Sequence, residues 1–153
     1  MSLIKVQEEF KKYGIDNRII VLNNSTATVE KAANMLNCEE GKIAKTMAFK
    51  LKEKNILIVL SGDSKIDNSK YKNKFNEKAK MINFDELNKL IGHEPGGVCP
   101  FAIKEDVEVY LDESLKTYKT VYPACGSSNS AIELTIEELE NYSNYKEWIN
   151  VSK

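Results

Sequence analysis

Residues 55–60 read NILIVL. A run this short and this apolar is a strand buried on both faces, and Ser61-Gly62-Asp63 closes it with turn chemistry. Any fold built on it must supply cover for two faces of a sheet. The preceding stretch, 43–51, has a period of two, with Ile43, Lys45, Met47, Phe49 and Leu51 on one side. Helical spacing brackets this pair. Leu3, Val6, Phe10 and Tyr13 predict a helix over 3–13, stopped by Gly14. Val29, Ala32, Ala33 and Leu36 predict a second, with Thr28 as N-cap and Asn37 as its end. Residues 67–76, 84–91 and 136–142 also read as helices. Short strands are expected at 18–22, 107–111, 118–122 and 131–134. The mixed order of elements predicts an α/β (α+β mixed) single domain over 1–153 with a mixed sheet, not a regular βαβ repeat.

Charge and composition narrow the function. The chain carries 22 basic and 23 acidic groups in 153 residues, so bulk polyanion binding is not indicated and DNA is not an expected partner. Arg18 is the sole arginine, which excludes bidentate Arg forks as a general strategy. No apolar run approaches a membrane span, and Glu8 and Glu9 near the start do not suit a signal peptide. Cys38, Cys99 and Cys125 form no CxxC pair. They read as free thiols in a reducing cytoplasm. With His93 as the one histidine, a multi-His zinc site is impossible, and no metal or cofactor is expected. Any nucleophile–His arrangement would have to use His93.

Four features fit structure alone poorly. Lys45 lies in phase with apolar neighbours, where an ammonium needs a partner. It either faces a pocket or snorkels from the strand mouth. The loop Gly92-His93-Glu94-Pro95-Gly96-Gly97-Val98-Cys99-Pro100 holds three of seven glycines and two of three prolines. Its backbone amides can cradle an anion or a developing oxyanion, or it is a tight structural turn. No GK[ST] follows, so it is not a Walker A loop. His93 is a candidate base or a loop residue. Cys99 is a candidate nucleophile or a small buried hydrophobe. Cys125-Gly126-Ser127-Ser128-Asn129-Ser130 offers small hydrogen-bonding groups for a pocket floor, or a plain turn. Residues 65–80 hold six lysines against Asp67 and Glu77, with Tyr71 and Phe75 between them. That is a nucleic-acid surface or a solvated helix face.

Taken in order, these segments resemble the YbaK/EbsC family, relatives of the editing domain of bacterial prolyl-tRNA synthetase. The matching pieces are Thr28-Val29-Glu30 with Ala32-Ala33, Ile43-Ala44-Lys45-Thr46, Leu60-Ser61-Gly62-Asp63, Ile91-Gly92-His93, Gly96 to Phe101, and Gly126 ahead of Ile132-Glu133-Leu134. They span about residues 25–140. The resemblance implies a barrel-like mixed sheet surrounded by helices and a metal-independent aminoacyl-tRNA deacylase. Its substrate would be the acceptor end of a mischarged tRNA, tRNA(Pro) or a related tRNA carrying a small amino acid. An aminoacyl-tRNA synthetase is a candidate partner, and no membrane is involved. The family's essential lysine falls on Lys45 and its GxxxP loop on Gly96 to Pro100. On this reading Gly96, Gly97 and Val98 orient the ester carbonyl. Thr46, His93, Cys99, Pro100, Gly126, Ser127 and Ser128 line the substrate site. Lys70, Lys72 and Lys74 are added as candidate tRNA-docking residues, outside the family motif. The sequence departs from better-known members at Ser127-Ser128-Asn129, at Ala131 and at Cys99, where amino-acid selectivity would be set. A non-catalytic module holding tRNA, a nucleotide or a synthetase is the alternative. Acyl chemistry on Cys99 is a third.

Overall fold

A computed structural model describes residues 2–25 and 28–153. In chain order the elements are α1 (Ser2–Lys12), β1 (Ile20–Val21), α2 (Val29–Leu36), β2 (Ile43–Lys50), β3 (Asn55–Ser61), α3 (Asn68–Phe75), α4 (Leu87–Leu90), β4 (Glu108–Asp112), β5 (Thr120–Pro123), β6 (Ser130–Ala131), β7 (Leu134–Thr135), α5 (Ile136–Ser143) and β8 (Glu147–Ile149). Six strands form one mixed sheet in the order β7-β5-β2-β3-β4-β8, curled into a half-barrel, and β1 pairs with β6 in a separate ribbon.

The apolar run is the middle of this sheet. Ile56 to Leu60 are all 0% exposed. Leu57 and Val59 pack with Val6 and Phe10 of α1, Val109 and Leu111 of β4, and Leu139 of α5. Ile56, Ile58 and Leu60 point the other way, onto Tyr71 of α3, Phe49, Tyr110 and Val151. Each such side chain removed from water contributes about 1.5–3 kcal/mol, which explains why the strand tolerates no polar residue between its ends. β2 runs antiparallel to β3 over seven pairs, Ala44↔Ser61 to Lys50↔Asn55. On its other edge β2 meets β5 only at Ile43 and Ala44. It then meets the segment around Met81 at Phe49. That leaves an interval of open edge at 45–47, where the site lies.

The helices start and stop where side chains allow. Thr28 accepts the Lys31 N–H at 3.1 Å, and Asn37 ends α2 in the left-handed region at φ 55°. Asp67 caps α3, and Thr135 with Glu138 forms a capping box on α5. Three readings change. The expected helix over 84–91 begins as a 3₁₀ turn, Phe84–Glu86, before the single turn of α4. The expected strand at 131–134 is divided: Ser130–Ala131 pairs with β1, whereas Leu134–Thr135 pairs with β5. β8, unanticipated, runs parallel to β4 and closes one edge of the sheet. No helix among the described residues is long and apolar enough to cross a membrane.

Candidate active site

A cavity of about 200 Å³ sits over the open interval of β2. Its walls come from residues far apart in sequence. α2 contributes Val29, Ala32 and Leu36, β2 contributes Ile43 to Ala48, and the Gly-rich loop contributes Pro95, Gly96 and Val98. Tyr122, Ala124, Ser130 and Ala131 close the far side. Among the described residues Lys45 is the one charged side chain in this lining.

Lys45 pairs across the sheet with Leu60, so its stem lies on the apolar face that α3 covers. The ammonium escapes that face at the exit of β3. It donates to the carbonyls of Gly62, at 3.3 Å, and of Ser64. Gly62 makes this turn possible: a Cβ there would sit 2.2 Å from the Glu40 carbonyl oxygen. Burial pulls the Lys45 pKa below its usual value, and the charge of Asp63 opposes that shift. Asp63 makes no ion pair with Lys45 among the described residues. Instead its Oδ1 accepts from Ser61 Oγ at 2.6 Å, which holds it in place. Two of the three ammonium donors are thus committed to carbonyls, leaving one for a ligand.

The Gly-rich loop is tied at its base. His93 is 0% exposed and its Nε2 lies 2.6 Å from the Phe101 carbonyl oxygen. A carbonyl only accepts, so Nε2 carries the proton, and Nδ1, buried without a partner among the described residues, is the bare nitrogen. Burial keeps this imidazole below its ordinary pKa. Gly97 N–H donates to the Glu94 carbonyl at 3.0 Å, which forms the turn. Among the described residues the N–H of Val98 has no such acceptor. A Cβ on Gly97 would meet the Gly126 carbonyl carbon at 2.6 Å, so the Gly-rich loop and the 125–130 turn press backbone to backbone.

The aminoacyl-tRNA editing domain family matches residues 23–142 of this chain. The chain belongs to that family. A Bacillus subtilis protein described as uncharacterized protein YwhH is 47% identical over 154 residues, covering 100% of this chain and 98% of its own length. A proline–tRNA ligase from Bacillus cytotoxicus is 31% identical over 101 residues, which is 65% of this chain and 18% of the ligase. One solved structure, described as a candidate trans-editing enzyme for prolyl tRNA synthetase, superposes with a TM-score of 0.89 at 25% identity and covers 99% of this chain and 97% of its own.

Within this editing domain the residues singled out from the sequence fall into three groups. Lys45, Thr46, Gly96 and Val98 line the cavity together. Thr46 Oγ1 is buried with no hydrogen-bond partner among the described residues. Gly97, His93, Cys99, Pro100 and Gly126 are not among the residues that line it. Cys99 is fully buried, 3.4 Å from His93 Nε2, with its thiol pKa pushed up to about 12 by burial. Ser127 and Ser128 lie outside the lining, and the Ser127 hydroxyl bonds to Asn129 Oδ1 and Ser130 Oγ. Lys70, Lys72 and Lys74 sit on α3, the helix that covers the Ile58 and Leu60 face. Lys70 donates to the Ser152 carbonyl at 2.8 Å and Lys74 pairs with Glu147. Ser130, one of the small groups offered for a pocket floor, does line the cavity, whereas sequence reasoning missed Tyr122, Met81 and Phe84. Met81-Ile82-Asn83-Phe84 carries no periodic pattern that would have marked the last two. Among the described residues no three His, Cys, Asp or Glu side chains gather closely enough to hold a metal ion.

Proposed function

We propose that this chain is a cytoplasmic deacylase that hydrolyses the ester of a mischarged tRNA, tRNA(Pro) or a related tRNA bearing a small uncharged amino acid. The observation that carries the reading is the convergence of Lys45 with Gly96 and Val98, fifty residues away, on one small cavity. An aminoacyl ester is already activated, so hydrolysis needs a positioned water and charge stabilisation more than a strong nucleophile. The carbonyl would lie against the Gly96–Val98 backbone, with the Val98 amide facing the developing oxyanion. Gly97, whose own amide is spent in the turn, sets the loop's position. The free donor of Lys45 would hold ribose or phosphate oxygens beside the reacting carbon. A neighbouring ribose hydroxyl of the substrate would help activate the water. Among the described residues the lining has no carboxylate to pair a basic side chain, and its walls are mostly apolar, which suits a small neutral amino acid.

Support comes from the editing-domain family, the partial match to proline–tRNA ligase and the fold shared with the candidate trans-editing enzyme. Acyl chemistry on Cys99 is disfavoured, since a thiol with pKa about 12 closed off from the cavity is not a nucleophile. The test is a deacylation panel: tRNA(Pro) and cognate tRNAs charged with Ala, Cys, Ser, Thr or Pro. Rapid hydrolysis of one small-residue pair, with Pro-tRNA(Pro) spared, is expected. Saturable tRNA binding with no turnover on any pair would identify a binding module instead.

A further inference from the structure

The cavity, at about 200 Å³, falls below the roughly 300 Å³ at which pockets begin to bury a whole drug-sized ligand. It has room for an aminoacyl head but not for the nucleoside that carries it. The base and the nucleotides before it must therefore leave through the mouth.

One side of that mouth is unusual. Phe84 is 72% exposed, the highest value for any large hydrophobic among the described residues, and Met81 is 52% exposed. Both line the cavity. They are not loose. Their segment pairs with β2 just past its open interval, where Lys50 N–H donates to the Lys80 carbonyl at 2.8 Å and Ile82 N–H to the Ala48 carbonyl at 3.0 Å. Ile82 and Leu87, both buried, anchor it from below. An aromatic ring is thus held in water at the lip of the site by a fixed backbone. Immediately upstream, Lys78 and Lys80 are exposed and enter no ion pair among the described residues.

We infer that the segment Lys78 to Phe84 is a platform for the single-stranded acceptor end. Phe84 stacks on the terminal base, Met81 packs against its sugar, and Lys78 and Lys80 meet the phosphates behind it. The inference rests on the editing reading of the cavity and extends it to how the RNA is held. Stacking on an aromatic face accepts any base, so the platform grips the acceptor end without choosing the tRNA.

The first probe is an adenosine carrying alanine through a 3′-amide in place of the ester, compared with the same amide on a ribose lacking the base. Neither is hydrolysed, so binding is read apart from turnover. Stacking is worth about 1–3 kcal/mol per base, so the adenosine form should bind wild type at least about fivefold more tightly. That preference should collapse in Phe84→Ala and return in Phe84→Trp. An equal preference in Phe84→Ala, or no binding by wild type, overturns the platform. Base-dependent binding alongside a failed deacylation panel would keep the platform and sink the editing reading. The second measurement is tRNA affinity against salt. Losing two single-strand phosphate contacts flattens the log–log slope by about 1.4. Flattening is expected in Lys78→Ala/Lys80→Ala. Flattening in Lys70→Ala/Lys72→Ala instead would route the RNA over α3 and refute the platform.

Discussion

Alanine at Gly97 should damage the site without touching any reacting group. A Cβ there meets the Gly126 carbonyl carbon at 2.6 Å, short of an ordinary 3.4 Å contact by about 0.8 Å. The neighbour cannot yield, because it is backbone, and it is itself backed by the start of α1: a Cβ on Gly126 would lie 2.7 Å from the Ser2 carbonyl carbon. Relief must come from the Gly96–Val98 loop moving into the cavity. Overpacking of this kind costs about 1–3 kcal/mol, or a few degrees of Tm per kcal/mol for a chain of this length. Misplacing catalytic groups by about an ångström costs on the order of 100-fold in rate. Gly97→Ala should therefore remain folded at 25 °C, with a modestly lower Tm and kcat/KM for the mischarged tRNA down about 100-fold. Thermal melts and initial-rate deacylation measure the two effects. A variant with wild-type kcat/KM and a lowered Tm would refute the link between this contact and the reaction.

Three further outcomes follow from the electrostatics. Asp63 favours the charged form of Lys45 against burial, so Asp63→Asn should move the alkaline loss of activity to lower pH, read from a kcat/KM profile. An unmoved profile would remove Asp63 from the site. His93 is buried and held below its usual pKa of 6.5. The unfolded chain then takes up a proton that the native state refuses, so stability present above pH 6.5 is lost as pH falls through the native value. Urea midpoints between pH 7 and 5 should fall less in His93→Gln than in wild type. Glu138 is held down to about 2 by the Arg18 side chain, from an ordinary 4.5. Its contribution is present above pH 4.5 and disappears towards pH 2. For a solvent-reached pair it is about 0.5–1 kcal/mol, measurable as the pH dependence of Glu138→Gln stability.

What the sequence revealed depended on whether a feature was local. The run at 55–60 and the alternation at 43–51 are local signals, and the structure places both at the centre of the sheet. The caps at Thr28 and Asn37 are local as well. β8 is three residues long, too short to show a period, and exists because β4 offers it a partner. The stretch 131–134 alternates like one strand but is shared between two partners, a choice made by tertiary pairing. Lys45 was visible as an amine in the wrong phase. That its charge ends on the Gly62 and Ser64 carbonyls was not, because those groups are backbone and carry no side-chain signature. His93 drew attention as a reactive type, yet burial and the Phe101 carbonyl make it the fastener of the loop's base.

The role of Lys45 in hydrolysis is tested by single-turnover deacylation of the mischarged tRNA preferred by wild type, run beside Lys45→Ala, with circular dichroism confirming that both are folded. The variant should be folded, with hydrolysis at the uncatalysed background. A folded Lys45→Ala protein that deacylates at the wild-type rate would contradict that role.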